Sequence, residues 1–451
     1  MSLWFYAYAN LQYLWLLLFS CLIGWLLSCV PEKISSEKGK KVLTGVGCVF
    51  HLGLLGYFKY SNFFLENLNT VFHTDFPMLQ ILLPVGISFY TFQQLAYLID
   101  RCRGDAPRDS FFDYLTFMVY FPQLLQGPIL LRSEFMGQLK EPERRRFHAE
   151  RFSEGIQFFV FGLAKKVLLA DTLAKAVNYG YSNVSMLDSI SALLLAVGYL
   201  TELYFDFSGY CDMAVGLGKM IGLEVAENFD APFHSASVKE FWRRWHMTLG
   251  RFFTRYVYIP LGGNRKGKMR TLCNVMIVML LSGLWHGAAW TFVLWGFLHG
   301  VGMIWDNLEH PHLPKKWMRQ AATFAYVCMT FVFFRAESIA QGVDVLKSIV
   351  SLKWNGFVFQ MASALDMTEC YIITKALSMK LPGLLSWFWL GIFVVLIAIC
   401  FRVLSGEKVS GVVALQKQKG YGRLYPVLLA VLFTWSMISM TGVSEYLYFS
   451  F

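Results

Sequence analysis

Long hydrophobic stretches alternate with short polar segments along the whole chain. Nine of these stretches are nearly uninterrupted, at positions 11–30, 42–65, 78–99, 152–170, 187–207, 271–304, 318–334, 385–401 and 425–443. Since a membrane-spanning helix needs about 20 such residues, the pattern predicts about nine to twelve helices. We therefore expect an all-α polytopic membrane protein, with residues 1–451 forming a single integral membrane domain.

The composition supports the same class. Hydrophobic residues make up 56% of the 451 positions and charged residues only 16%, and few soluble cores could bury so much apolar surface. The first stretch lacks a basic region before it and a small-residue cleavage site after it. It is therefore expected to be a retained first span rather than a signal peptide.

The positive net charge of +10 is explained better by membrane topology than by nucleic-acid binding. The basic residues lie in short loops between apolar stretches, as the positive-inside rule requires of cytoplasmic loops. The loop with Lys38, Lys40 and Lys41 is then cytoplasmic, and positions 66–75, which lack Lys and Arg, are outside. A basic loop before the last stretch sends the final span outward, so the aromatic tail at 444–451 is expected at the outer face.

The segment from position 111 to 131 is apolar but has basic residues on both sides, so it is not expected to cross the membrane. It contains Phe121-Pro122-Gln123 and Gln126-Gly127-Pro128. Prolines and glutamines at membrane depth are typical of a re-entrant or broken helix that lines a cavity. Gln123 is therefore a candidate for lining a tunnel.

A basic and aromatic segment follows between positions 228 and 270, with nine Lys or Arg residues. Ser237 and Glu240 have capping-box spacing, which predicts a helix start. One continuous helix would place Arg244, Arg251 and Arg255 on one face and the tryptophans on another. Such a helix is often only a membrane-surface anchor, but His246, at the edge of the aromatic face, is a titratable group that an anchor does not need.

A second polar cluster runs from Asp206 to Asp212, at the expected end of a span. Asp206 and Ser208 could line a polar tunnel, or they could cap a helix break. The glycines that follow, Gly216, Gly218 and Gly222, resemble a phosphate-binding loop only superficially. We interpret them as helix-packing positions.

His286 ends a run of apolar residues that would otherwise read as the middle of a span. An ionisable side chain at that depth indicates a functional site, although it could also hydrogen-bond a neighbouring helix. His299 lies thirteen residues later, on the opposite face if one helix continued. With no metal-ligand spacing and no Cys-x-x-Cys pair among the nine cysteines, no metal site is expected.

Several longer motifs together make the chain resemble a known family. They are Leu83-Pro84-Val85-Gly86-Ile87-Ser88-Phe89-Tyr90-Thr91-Phe92, Tyr120-Phe121-Pro122-Gln123, Gln126-Gly127-Pro128-Ile129, Asp206-Phe207-Ser208-Gly209-Tyr210, Phe241-Trp242-Arg243-Arg244-Trp245-His246, Tyr258-Ile259-Pro260-Leu261-Gly262-Gly263-Asn264-Arg265 and Gly283-Leu284-Trp285-His286-Gly287. They occur in family order from about position 80 to 305. The chain resembles the membrane-bound O-acyltransferases, in the branch of alginate and peptidoglycan O-acetyltransferase membrane subunits, with teichoic acid D-alanyl transferases more distant.

The resemblance implies a bacterial cytoplasmic-membrane protein built as a ring of tilted helices around a central tunnel. It assigns the catalytic role to His286, while His246 has a less settled role in proton transfer, donor binding or tunnel lining. It also implies a thioester donor, acetyl-CoA or a carrier-bound acyl group, and no resident cofactor. An extracellular or periplasmic acyltransferase partner and a polysaccharide acceptor are expected on the other side.

The residue types suit acyl transfer from a thioester to a hydroxyl. Histidine can take the hydroxyl proton near neutral pH, and Trp285 or Ser282 could donate to the developing oxyanion. Forked guanidinium groups suit the phosphates of the donor, so the candidate donor-binding residues are Arg243, Arg244, Arg251 and Trp245.

The tail ends in Tyr446-Leu447-Tyr448-Phe449-Ser450-Phe451. Members of the resembled branch, or their small partners, often end in such a tail, so Tyr448 is a candidate acyl relay that carries acetyl outward. A phenol beside a base is a plausible nucleophile. The alternative is an interfacial aromatic anchor.

Two other functions stay open at this stage. One is transfer of D-alanyl or another acyl group from a carrier protein, and the other is a transporter or channel in which His286 gates or relays protons. Internal repeats expected of many transporters are not seen. The sequence does not identify the polysaccharide, and positions 335–385 carry no recognised motif.

Overall fold

The computed structural model describes residues 2–9, 11–30, 32, 34–308, 315–404, 408–420 and 422–440. Within these ranges every regular element is a helix, as the all-α prediction requires. The aromatic tail, including the candidate relay Tyr448, lies outside the described residues.

The α-helices, in chain order, are α1 (Ser2–Ala9), α2 (Leu11–Cys29), α3 (Glu37–Leu55), α4 (Ser61–Phe72), α5 (Ile87–Arg103), α6 (Phe111–Met118), α7 (Phe121–Leu124), α8 (Arg132–Lys140), α9 (Ala149–Ala164), α10 (Asp171–Ser182), α11 (Ser189–Met220), α12 (Val238–Trp242), α13 (Met247–Phe253), α14 (Lys268–His286), α15 (Trp290–Asn307), α16 (Lys316–Arg335), α17 (Ile339–Val350), α18 (Phe357–Ser363), α19 (Tyr371–Lys380), α20 (Pro382–Leu404), α21 (Val409–Lys419) and α22 (Leu424–Ser439). Three π-helical segments, Gly56–Tyr60, Lys165–Ala170 and Thr254–Tyr258, continue α3, α9 and α13. Short 3₁₀ turns occur at Pro142–Arg145, Val184–Met186, Pro232–His234 and Thr368–Cys370.

Five helical stretches of the described chain are long and apolar enough to cross a membrane, by length and composition: Leu11–Cys29, Glu37–Phe72, Ser189–Met220, Lys268–His286 and Pro382–Val403. The other predicted stretches form helices that are shorter, such as α5 and α9, or less apolar, such as α16. The stretch at 271–304 is divided into an α14–α15 hairpin, of which α14 is one of the five. The predicted break between positions 111 and 131 is confirmed, since α6 and α7 are short and the chain after them is not helical.

The long helix α11 forms the centre of the fold and packs closely against α9. A Cβ added to Gly209 would lie 2.7 Å from the backbone oxygen of Gly162, and one added to Gly216 would lie 2.6 Å from that of Gly155. Small residues at a seven-residue spacing thus let the two backbones touch, as is common between helices in membranes. The interpretation of Gly216 as a packing position is confirmed.

Two local predictions were wrong. Asp206 and Ser208 lie in the middle of α11, not at the end of a helix. The single amphipathic helix after Ser237 does not form either: Ser237 caps α12 as expected, but α12 ends at Trp242 and α13 starts only at Met247. The prediction of an arginine face and an aromatic face fails, because residues 243–246 are not helical and α12 and α13 are separate helices.

Candidate active site

His286 is the last residue of α14, at the bend of the α14–α15 hairpin. The hairpin is tight because glycines bring the two helices together: a Cβ on Gly283 would be 2.3 Å from the backbone oxygen of Phe292, and one on Gly296 would be 2.5 Å from that of Met279. A Cβ on Gly287 would meet the Phe292 ring at 2.0 Å. The glycines of the Gly-Leu-Trp-His-Gly motif therefore fix where the histidine is placed.

Aromatic side chains surround the His286 ring, which is 3% exposed. The Trp295 and Phe334 ring centroids are each 5.1 Å from that of His286, and that of Trp285 is 5.0 Å away. Trp285 in turn stacks on Phe92 of α5, with centroids 5.3 Å apart. The long motif at the start of α5 thus contributes one wall of the site.

His246 occupies the break between α12 and α13, in a left-handed conformation with φ 45°. Such a conformation is strained for a non-glycine residue and is common at functional sites. Its ring is completely buried and its centroid is 6.3 Å from that of His286. Its Nδ1 lies 3.3 Å from Oδ1 of Asn228, and its Nε2 has no hydrogen-bond partner among the described residues.

Asn228 organises this break, a role that no local sequence pattern indicates. Its Oδ1 accepts hydrogen bonds from the backbone N–H of Thr248 at 3.0 Å and from the Thr248 hydroxyl at 2.9 Å. Its backbone oxygen accepts from the N–H of Met247 at 3.0 Å. A buried amide joined to three groups in the break holds the His246 ring in position.

A cavity of about 460 Å³, here called the arginine cavity, opens on one side of the hairpin. Its walls are mostly apolar, and its cations are Lys239, Arg243 and Arg251. The full lining is Lys239, Trp242, Arg243, Met247, Leu249, Gly250, Arg251, Phe253, Thr254, Tyr258, Thr271, Val275, Val278, Met279, Ser282, Met303 and Asn307. Ser282 lies one turn before His286 on α14, and its hydroxyl has no hydrogen-bond partner among the described residues.

A smaller cavity of about 80 Å³, here called the histidine cavity, is lined by His286 itself. Its other lining residues are Lys59, Leu83, Pro84, Val85, Gly86, Ile87, Ser88, Phe89, Leu125 and Trp285. Ser282 in the arginine cavity and His286 in the histidine cavity are therefore one turn of α14 apart, a rise of about 6 Å along the helix.

The predicted donor-binding arginines differ in their contacts. Arg251 forms an ion pair with both carboxylate oxygens of Glu134 and donates to the backbone oxygen of Ile129 at 3.2 Å. Arg244 pairs with Glu240 at 2.9 Å. Arg243 is exposed, lines the arginine cavity, and has no ion pair within the part of the chain that the structure describes.

The remaining predicted residues are buried elsewhere in the core. Trp245 stacks on Phe241, with ring centroids 5.4 Å apart, and lines neither cavity. Asp206 forms an ion pair with Lys166 at 2.6 Å, and Ser208 is 2% exposed on the same helix. Gln123 donates to the backbone oxygen of Phe117 at 2.9 Å and so holds the predicted break. Their roles in a tunnel stay predictions.

His299 is closer to His286 than a continuous helix would allow, because both rings contact Trp295. The ring centroids of His299 and Trp295 are 4.8 Å apart, and those of His286 and Trp295 are 5.1 Å apart. Both nitrogens of His299 have partners: Trp242 Nε1 donates to Nδ1 at 3.3 Å, and Nε2 lies 3.0 Å from the Thr330 hydroxyl. This ring is therefore a packed structural group. Among the described residues no group of three or more His, Cys, Asp or Glu could hold a metal ion.

A third cavity, of about 800 Å³, lies among α9, α20, α21 and α22. Its walls are mainly aliphatic, and it contains none of the predicted site residues. It is separate from the chemistry around the histidines.

A buried histidine that lines a cavity, in a chain whose described residues form only helices, several of them long enough to cross a membrane, is typical of an enzyme that works within the membrane. A sequence model of the membrane-bound O-acyltransferase family matches residues 104–341. The chain belongs to this family, and it is an acyltransferase.

The chain is also similar to individual members. It is 36% identical over 383 residues to the peptidoglycan O-acetyltransferase of Helicobacter pylori, covering 78% of this chain and 72% of that protein. It is 42% identical over 309 residues to the probable alginate O-acetylase AlgI of Pseudomonas putida, covering 66% of this chain and 62% of that protein. A teichoic acid D-alanyltransferase of Streptococcus thermophilus is 28% identical over 253 residues, covering 53% of this chain and 58% of that protein.

Proposed function

We propose that this protein transfers an acetyl group from acetyl-CoA, across the bacterial cytoplasmic membrane, for O-acetylation of an extracellular polysaccharide. The observation that carries the proposal is that Ser282, which lines the arginine cavity, and His286, which lines the histidine cavity, lie one turn apart on α14. The names of the peptidoglycan and alginate relatives support an acetyl group and a polysaccharide acceptor.

The arginine cavity is the proposed donor site. It lies at the end of α14 that follows the basic loop at 264–270, which the positive-inside rule places in the cytoplasm. Exposed Arg243 is suited to the phosphates of coenzyme A. The apolar walls would hold the pantetheine arm and direct the thioester toward Ser282 and His286.

The histidine cavity is the proposed acceptor site. Its walls include Leu83 to Gly86, which follow the stretch at 66–75 without Lys or Arg. That stretch is the predicted outer side of the membrane. An acceptor hydroxyl in this cavity would reach His286 from the side opposite the donor.

The chemistry of the transfer follows from this arrangement. His286 takes the proton of the acceptor hydroxyl while the hydroxyl oxygen bonds to the thioester carbonyl carbon, and the carbonyl electron pair moves to its oxygen. The tetrahedral intermediate then collapses, and the C–S bond breaks. The thiolate leaves as a thiol with the proton from His286. A hydrogen bond from Ser282 would stabilise the oxyanion.

Purified protein in liposomes tests the proposal. We expect release of free coenzyme A from acetyl-CoA, by slow hydrolysis when only water is present, and loss of this activity in the His286→Gln variant. The rival donor, suggested by the more distant D-alanyltransferase relative, is an acyl group on a carrier protein. Release of D-alanine from a D-alanyl carrier protein, with acetyl-CoA left intact, would replace the acetyl proposal by that one.

A further inference from the structure

Lys59 lies next to the histidine motif, although it is far from it in sequence. It belongs to the π-helical segment Gly56–Tyr60 that joins α3 to α4. Its Nζ donates to the backbone oxygens of Trp285 at 2.7 Å and His286 at 2.9 Å. The adjacent Tyr60 hydroxyl donates to the backbone oxygen of Leu284 at 2.6 Å.

These contacts supply hydrogen-bond donors to the carbonyl groups at the C-terminal end of α14. The last carbonyl groups of a helix have no partners within the helix, and they carry partial negative charge that favours a nearby cation. Lys59 and Tyr60 together occupy three successive carbonyls, those of residues 284, 285 and 286. A neutral donor such as Tyr60 would satisfy this need, so the end of the helix alone does not explain a charged lysine at this depth.

The second property of Lys59 is its place in the histidine cavity. It lines that cavity of about 80 Å³ together with the His286 side chain. An ammonium group has three N–H donors, and the described residues accept two of them. The third is available to a ligand that enters the cavity and reaches His286. Among the residues that the structure describes, Lys59 is the only Lys or Arg that lines this cavity.

We infer that Lys59 binds the oxygen of the acceptor hydroxyl and activates it for attack, which rests on the proposed acyl transfer at His286. When the new bond to the thioester carbon is complete, the negative charge lies on the carbonyl oxygen until the C–S bond breaks. Earlier, as His286 removes the hydroxyl proton, negative charge develops on the attacking oxygen. The ammonium of Lys59 stabilises this charge and keeps its own protons throughout. The ligand class is thus an alcohol or phenol, held by one N–H of Lys59 with its proton directed to His286.

The experiment compares Lys59→Met, Lys59→Arg and Tyr60→Phe with the parent protein in liposomes, using acetyl-CoA and water as the acceptor. We expect Lys59→Met to lower kcat for hydrolysis by about 10- to 100-fold, the size expected for loss of a hydrogen bond to a charged group. KM for acetyl-CoA should stay within about twofold of the parent value, because Lys59 does not line the arginine cavity. Lys59→Arg should recover part of kcat. Tyr60→Phe is the matched control, since it removes a hydrogen bond to the same helix end and should keep near-parent kcat.

Hydroxylamine separates activation of the acceptor from support of the helix. It attacks thioesters without needing a base or a cation to activate it, and acetohydroxamate formation measures its reaction after subtraction of the rate in empty liposomes. Lys59→Met should form acetohydroxamate at near-parent rates. An equal loss with water and with hydroxylamine would mean that Lys59 only holds the helix, and would overturn the inference.

The His286→Gln variant separates the inference from the proposed function. If it loses hydrolysis while Lys59→Met keeps the parent kcat, only the role of Lys59 is refuted. If the parent protein does not cleave acetyl-CoA, or His286→Gln cleaves it normally, the proposed function itself fails.

Discussion

The rings of His246 and His286 lie with their centroids 6.3 Å apart, one in a strained break between two short helices and the other at the end of α14. Neither ring is more than 3% exposed. Both also contact Trp285, at centroid distances of 6.0 Å from His246 and 5.0 Å from His286. The two motif histidines therefore lie together, and of the two only His286 lines the histidine cavity among the described residues.

The His286→Gln variant tests the role of the histidine that lines the histidine cavity. General-base catalysis contributes roughly 10²- to 10⁴-fold, so we expect a loss of that size in the rate of acetyl transfer, measured as coenzyme A release. The exposed His73, which also has a left-handed backbone, supplies the control His73→Asn with unchanged rate. If correctly inserted His286→Gln protein transfers acetyl at the parent rate, His286 is not the general base.

Alanine variants of the three arginines should have different effects. A hydrogen bond to a charged group contributes about 1.5–3 kcal/mol, so Arg243→Ala should raise KM for acetyl-CoA by about 10- to 100-fold with little change in kcat. Arg244→Ala, which removes an ion pair with Glu240 outside the cavity, is the matched control. Equal KM values for the two variants would refute donor binding by Arg243.

Arg251→Ala, which removes the ion pair with Glu134, should lower the stability of the protein rather than its affinity for the donor. Arg251→Ala breaks the link between α13 and the loop at Ile129, so a lower melting temperature in detergent is expected. Thermal unfolding followed by tryptophan fluorescence measures it. An unchanged melting temperature with a raised KM would instead assign Arg251 to the donor.

Replacement of glycines in the α14–α15 hairpin by alanine should destabilise the protein. Gly283→Ala and Gly296→Ala would each press a Cβ against a backbone oxygen, and overpacking costs about 1–3 kcal/mol of unfolding free energy. Gly45→Ala, where a Cβ meets nothing within 4 Å, should be neutral or stabilise by about 0.5–1 kcal/mol. Thermal denaturation of the three variants compares them, and equal stability would contradict the close approach of the helices.

The Tyr448→Phe variant tests the acyl relay of the aromatic tail. If Tyr448 carries acetyl outward, the variant should lose acetylation of the polysaccharide in cells but still hydrolyse acetyl-CoA in liposomes. Mass spectrometry should find acetyl on Tyr448 of the parent protein. Tyr446→Phe is the control, and full polysaccharide acetylation by Tyr448→Phe would end the relay hypothesis.

The sequence predicted parts of the site through different kinds of evidence. The break near Gln123 followed from the prolines in an apolar stretch, and the cap at Ser237 followed from capping-box spacing. The prediction that one face of a helix after Ser237 carries the arginines was wrong. A helical wheel assumes a continuous helix, and the chain around His246 interrupts it. Asn228 and Lys59 were missed because their roles depend on contacts with segments far away in the chain.

Hydropathy and motifs by themselves determined the all-helical membrane class and the family, and they made His286 the candidate catalytic residue, since these depend on residue type and order along the chain. Only the tertiary structure decided that 271–304 is a hairpin and that His246 meets His286. Only it brought Lys59 to the end of α14. The reason is physical: close approach through Gly283 and Gly296, and the partners of unsatisfied carbonyls, are set by packing between distant segments, which no local pattern encodes.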